Sequence, residues 1–165
     1  MQKLTTIGLG GGCHWCTEAV FQALRGVQEV EQGFIASLPP HDFASEAVRL
    51  RFDEAVLPLV VLLEIHLRTH ASQSDHSMRR KYRSAVYATD DAMAKRCAGL
   101  LAELQAGFER PLVTKVLPLV RFELNEERFL NYRAKHPDAP FCSTHIDPKL
   151  AMLRAQFPAY TEEGA

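Results

Sequence analysis

Three glycines, Gly10 to Gly12, stand between an apolar run and a segment whose apolar residues recur at helical spacing, and few local conformations suit that junction. Leu4 to Leu9 reads as a short strand, and Trp15, Ala19 and Ala23 share one side of a helix. The glycines must then be a tight turn that feeds the strand into the helix. The helix is expected to stop near Gly26, after which Val27 to Phe34 forms a second strand ending at Gly33.

The same reading extends along the chain. In Ser45 to Phe52, Val48, Leu50 and Phe52 alternate with Arg49 and Arg51, the pattern of a half-buried strand. Val56 to His70, which contains LPLVVLLEIHL, is apolar nearly all round and suits a helix covered on most sides, with Pro58 in its first turn. After the polar loop SQSDHSMRR, KYRSAVYA (residues 81–88) reads as a strand. Asp90 and Asp91 open a helix with the stripe Cys97, Leu101, Leu104 and Phe108, closed around Gly107. Val113 to Val120 is a further strand, Asn125 to Lys135 a last helix, and about 136–165 a proline-containing tail. This order of elements predicts an α+β two-layer sandwich of ferredoxin-like type, with helices packed on a mixed sheet.

At 165 residues and 47% hydrophobic content, one domain over 1–165 is expected. The net charge of -1, with both signs interspersed, gives no reason to expect nucleic acid or an anionic membrane as partner. MQKLTTIGLG has no sustained apolar core of a secretory signal, and no stretch reaches the length of a membrane span, so a cytoplasmic protein is expected. In that compartment the four cysteines are reactive, metal-bound or buried rather than locked in permanent disulfides.

Cys13 stands where the glycine turn enters the helix. There free backbone N–H groups and the positive end of the helix dipole favour thiolate over thiol, lowering the pKa from roughly 8.5; the alternative is a quietly packed cysteine. Cys16 is one turn further on the same face, the spacing of a redox pair at a helix N-terminus. With His66 and His70, spaced i, i+4, the two cysteines also make a formal Cys2His2 zinc set, although the gap of roughly fifty residues and the apolar helix are unlike a zinc finger. No metal is expected. Glu46 shares the strand face of Val48, Leu50 and Phe52. Its carboxyl therefore points inward, where loss of water favours the protonated acid, unless it lies exposed at the strand's first residues. Trp15 is either core or an apolar wall beside the nucleophile. Tyr82 precedes its strand and could hold a substrate oxygen or reach solvent. Cys97 falls on a core stripe, while Cys142, in APFCSTHIDP, reads as a loop cysteine able to move.

These pieces resemble the A-type peptide methionine sulfoxide reductases, whose signature is Gly-Cys-Phe-Trp-Gly at a strand-to-helix turn; here the segment is GGGCHWCTEAVF, Gly10 to Phe21. LRGVQEVEQGF, SEAVRLRFD, EIHLRTH, KYRSAVY and FLNYRAKHPDAPFC resemble further family segments in the same order, from about Thr6 to Cys142. The resemblance implies an α+β sandwich and reduction of a methionine (S)-sulfoxide, or a related small sulfoxide, through a cysteine sulfenic acid and then an intramolecular disulfide. It implies Cys13 as nucleophile, Trp15 as the wall for the sulfoxide methyl, Glu46 as proton donor, Tyr82 as a ligand of the oxygen and Cys142 as the resolving thiol. No cofactor is implied beyond an external dithiol such as thioredoxin.

The chain departs from that pattern at His14, which replaces a phenylalanine of the substrate pocket, and at Cys16, which replaces a glycine and offers a second resolving thiol. The loop between Gly33 and Glu46 is shorter than the family's and lacks its second tyrosine, and the family's aspartate five residues before Tyr82 is Ser77 here. Cys142 is favoured slightly over Cys16 as resolving residue because a loop can reach Cys13. The other readings are a general thiol-disulfide oxidoreductase built on Cys13-x-x-Cys16, a zinc-stabilised binding module, or a pseudo-enzyme that keeps the fold as an interaction surface.

Overall fold

A computed structural model describes residues 3–165. Six strands, β1 (Thr5–Gly10), β2 (Val27–Ala36), β3 (Ser45–Phe52), β4 (Ala85–Ala88), β5 (Lys115–Pro118) and β6 (Arg121–Leu124), form one sheet in the order β5-β4-β1-β3-β2-β6. The central four, β4-β1-β3-β2, are antiparallel throughout, which is the expected ferredoxin-like arrangement. β5 adds parallel to β4, a pairing that needs a crossover, and α3 (Asp91–Leu104) supplies it. The Asp90 carboxylate caps α3 by accepting from Met93 N at 2.8 Å.

One sheet face carries the main core. Ile7, Leu9, Val48, Leu50, Phe52 and Val86 pack under α1 (His14–Gln22), α2 (Leu59–Arg68) and α3. Each such side chain, fully buried, stabilises the fold by about 1.5–3 kcal/mol before entropy is counted. The opposite face holds a smaller cluster of Ile35, Ala47, Ala85 and Tyr87, packed against Leu117, Leu119 and Phe122. There the buried Arg83 guanidinium is satisfied by Tyr87 Oη and the Ile35 carbonyl, both at 2.9 Å.

Several elements differ from the sequence reading. β4 is only Ala85–Ala88, because Ser77–Arg80 forms a 3₁₀ turn and Lys81 to Ser84 lie outside the sheet. β6 was not expected; it pairs with β2 at the far edge, from Gly33↔Leu124 to Ala36↔Arg121. Asn125 to Lys135 is not one helix. It is a 3₁₀ turn over Glu127–Phe129 and a single helical turn, α4 (Tyr132–Lys135), separated by Asn131 in the left-handed region at φ 55°. The segment expected as a tail becomes a π-type turn, Cys142–Ile146, running into α5 (Asp147–Gln156), and it buries Cys142, Ile146, Leu150 and Leu153 in the main core.

Candidate active site

Strand register assembles the site at one end of the sheet. β1 ends at Gly10 opposite Ala85, and the β1–β3 pairing of Leu9 with Val48 brings the start of β3 beside the glycine turn. Two groups beneath the turn fix its path: His66 Nε2 donates to Gly10 O at 3.0 Å and Arg79 Nη1 to Gly11 O at 2.8 Å. A Cβ on Gly11 would lie 2.4 Å from the His70 ring, so glycine lets the turn pass this close to the histidine that follows α2.

Cys13 is the N-cap of α1, and its carbonyl accepts from Cys16 N at 3.1 Å and Thr17 N at 3.3 Å. Its thiol is held below the ordinary value, chiefly because the Cys16 thiol donates to it; the Trp15 and Cys16 N–H groups act the same way, while burial and Glu46 oppose them. The partner moves the other way. Cys16, donating to Cys13 and largely desolvated, is pushed far up. One sulfur thus gives up its proton more readily than an ordinary thiol, and its neighbour keeps its own.

Glu46 is buried, as strand alternation predicts. Its Oε1 accepts from His14 N at 3.2 Å and lies 3.4 Å from His14 Nε2, while Oε2 faces Lys81 Nζ at 3.6 Å. Lys81 reaches from this carboxyl to Tyr82: the Tyr82 hydroxyl, then Glu46, hold the Lys81 ammonium above its ordinary value. Glu46 N donates to Lys81 O at 3.1 Å, tying the strand to the segment that carries Tyr82. Cys13, Glu46 and Tyr82 therefore meet at one end of the sheet.

Trp15 also lies here, but one ring face is covered. Tyr132 of α4 stacks on it at 4.0 Å with an interplanar angle of 2°, and the edge-on Phe141 stands 5.3 Å away. α4 is held for this contact by the buried Glu18 carboxylate, which accepts from Asn131 N at 2.9 Å and Tyr132 N at 3.1 Å. Burial pushes the Glu18 carboxyl up despite those bonds. Gln32, Asn125 and His14 form a further polar group at the β6 end of the site.

Cys142 corrects the expectation of a mobile loop thiol. It is fully buried in the π-type turn, with Sγ donating to His136 O at 3.1 Å. Its charge is felt at Cys16, where it helps to raise the thiol. The structure pairs Cys16 with Cys13. The formal zinc set is likewise not assembled: His66 bonds Gly10 O, and His70 lies between His66 O (2.6 Å, from Nδ1) and Ser84 Oγ (2.8 Å, at Nε2). Among the described residues no group of three or more His, Cys, Asp or Glu side chains is placed to hold a metal ion.

The sequence reading did not single out Arg79, Glu18, Gln32, Asn125 or Tyr132. Glu18 did carry a signal, as a carboxylate on the otherwise apolar inner side of α1. Arg79, Asn125 and Tyr132 belong to loops or short turns, where periodicity says nothing, and Gln32 is a polar residue within β2.

The peptide methionine sulfoxide reductase family model matches residues 5–161. Among curated relatives, the peptide methionine sulfoxide reductase MsrA of a Psychrobacter species is 35% identical over 95% of this chain and 98% of its own length. Its namesake from Thermus thermophilus is 34% identical over 90% and 93%. Of solved structures, reduced Mxr1 from Saccharomyces cerevisiae superposes with a TM-score of 0.75 over 87% of this chain and 91% of that one, at 23% identity. The same yeast protein in complex with Trx2 gives 0.61 over 76% and 84%, also at 23% identity. These structural likenesses support the fold.

Proposed function

The chain belongs to the peptide methionine sulfoxide reductase family, and from that premise we propose how its own residues divide the thiol-dependent reduction of a methionine sulfoxide. The observation that carries the assignment is the placing of Cys13 at the start of α1, its thiol held below the ordinary value by the Cys16 thiol, beside the buried Glu46 carboxyl. Cys13 attacks the sulfoxide sulfur while protonated Glu46 donates to the oxygen. The Cys13 sulfur loses two electrons and the substrate sulfur gains two. The oxygen, carrying the Glu46 proton, passes from the substrate sulfur to the Cys13 sulfur as the S–O bond and the transient bond between the two sulfurs break, giving a thioether, a Cys13 sulfenic acid and a Glu46 carboxylate.

Cys16 then closes the disulfide. Its thiol is already beside Cys13, whereas the buried Cys142 would have to leave its turn. The condensation of sulfenic acid and thiol releases water, and an external dithiol of thioredoxin type restores both cysteines by exchange, without metal or organic cofactor. Trp15, with His14 beside it, lines the place of the substrate methyl, and Tyr82 binds the oxygen. We assign the (S)-sulfoxide as substrate and the cytoplasm, a reducing compartment, as location; all four cysteines are free thiols.

The Cys13–Cys16 pairing also suits a general thiol-disulfide oxidoreductase, but that exchange has no leaving oxygen for the Glu46 carboxyl to protonate. One assay separates the readings. With dithiothreitol as reductant and resolved (S)- and (R)-sulfoxides of methionine and of a methionyl peptide, the protein should reduce the (S) forms. Cys13→Ser should abolish the activity, and Glu46→Gln should slow it about 10²–10⁴-fold while Cys13 remains alkylatable. Mass spectrometry after one turnover without reductant should show Cys13 joined to Cys16. Reduction of protein disulfides with none of sulfoxides would overturn the assignment, and a persistent sulfenic acid would overturn the role of Cys16.

A further inference from the structure

His14 follows the nucleophile directly and is buried, at 5% exposure, and while its ring borders the methyl site, its two ring nitrogens have as yet no role in the reaction. Its hydrogen bonds specify where its proton sits. Nδ1 lies 2.8 Å from Gly33 O, and a carbonyl only accepts, so Nδ1 carries hydrogen.

The other nitrogen is settled by a chain of amides anchored on the backbone. The fully buried Gln32 donates Nε2 to Phe129 O at 3.0 Å, which turns its Oε1 to accept from Asn125 Nδ2 at 2.8 Å. Asn125 Oδ1 accepts from Glu126 N at 2.9 Å, fixing the second amide the same way round. The remaining hydrogen of Asn125 Nδ2 is directed at His14 Nε2, 3.3 Å away. Nε2 therefore presents a lone pair, and the imidazole is neutral.

Glu46 Oε1 lies 3.4 Å from the same Nε2, which has one lone pair to share between the Asn125 amide and any acid proton on Oε1. A carboxylate there would set negative charge against a lone pair; a carboxylic acid can donate to it. The other charged groups around the carboxyl divide. Lys81, from the segment before β4, draws Oε2 toward the carboxylate from 3.6 Å, and the Cys13 thiolate on α1 favours the acid. Gln32 and Asn125 are uncharged, and the Phe34 ring meets the imidazole edge-on at 5.2 Å. Burial moves the imidazole in the direction that keeps it neutral.

We propose that His14 is a positioning residue that keeps Glu46 in its acid form, holding the Oε1 proton on the Nε2 lone pair until the sulfoxide oxygen takes it. This rests on Glu46 being the proton donor, as assigned above. Where the family signature has a phenylalanine, this chain has placed the acceptor for the catalytic proton. Once Glu46 has given up that proton, Nε2 and Oε1 together bind the next one, as acid and imidazole or as imidazolium and carboxylate. The Gln32–Asn125 chain makes the first of these the resting form.

Two readouts test the proposal. In the intact protein labelled with ¹⁵N-histidine, His14 should show a bare Nε2 and a protonated Nδ1 at neutral pH, without reference to turnover. In the pH profile of kcat/KM for the (S)-sulfoxide, the alkaline limb should move to lower pH by about one unit in His14→Phe, a loss of roughly tenfold above it. Asn125→Asp, which replaces the donor facing Nε2 by an acceptor, should put a proton on Nε2 and shift the limb the same way. Should His14→Phe fail to fold, the ¹⁵N measurement and Asn125→Asp still decide. Active wild type with a protonated Nε2, or an alkaline limb that stays in place in either variant, overturns the role of His14. Wild type with a bare Nε2 but no sulfoxide reduction overturns the reaction itself, and the role with it.

Discussion

His66 lies fully buried beneath the glycine turn, and its protonation is linked to stability. Burial pushes its imidazole down to about 4, against the opposing pull of the Gly10 carbonyl. A base whose folded value is lowered stabilises the fold above its unfolded value near 6.5 and loses that contribution as pH falls toward 4. The window of about 2.5 units corresponds to about 3 kcal/mol. Denaturant unfolding between pH 7 and 4 should therefore show a falling stability that is shallower in His66→Gln, whose amide can still donate to Gly10 O. A residual slope from His70, held low by burial beside His66, should remain. An unchanged slope in His66→Gln would refute the linkage. In the sequence the two histidines read as a helix pair or a metal pair. Only the approach of β1 shows that one of them holds the turn that carries Cys13.

Among the elements, β6 is the one that sequence periodicity hides and the site depends on. Its four residues, Arg121–Leu124, are mostly exposed, so there is no apolar alternation to read. Its place is set by Gly33: a Cβ there would lie 2.1 Å from Glu123 O, and the Gly33 carbonyl is also the acceptor for His14 Nδ1. Gly33→Ala should push β6 off β2 and cost about 1–3 kcal/mol in denaturant unfolding, typical of overpacking. It should also lower sulfoxide reduction, because Asn125 follows β6 directly; wild-type stability would refute the close contact. α5 was legible in principle, since Cys142, Ile146, Leu150 and Leu153 follow one another at helical spacing. Its Pro148 occupies the first turn, where a missing N–H costs nothing, and is not a sign of irregular tail. The opposite error came at Asn125 to Lys135, where Asn131 in the left-handed region breaks a segment that looks continuous.

Across the whole molecule the four thiols are graded by environment. Cys13 is partly exposed and poised, and Cys16 is buried beside it. Cys97 is pushed to about 11 by burial, and Cys142, fully buried, is also raised. Pulsed alkylation of the reduced native protein should label Cys13 first, and Cys97 and Cys142 only at the rate of unfolding. Early labelling of Cys142 would restore the mobile resolving thiol that its sequence context suggests. The sequence by itself determined the strand–turn–helix around Cys13, the inward face of Glu46 and the ferredoxin-like core, because each is written in local periodicity and turn chemistry. Tertiary structure alone decided that Cys16 rather than Cys142 lies against Cys13, that Tyr132 covers Trp15, and that Gln32 and Asn125 set the proton on His14. Those pairings join residues as far as 117 positions apart, and no local pattern records which distant groups the closed sheet and its helices bring into contact.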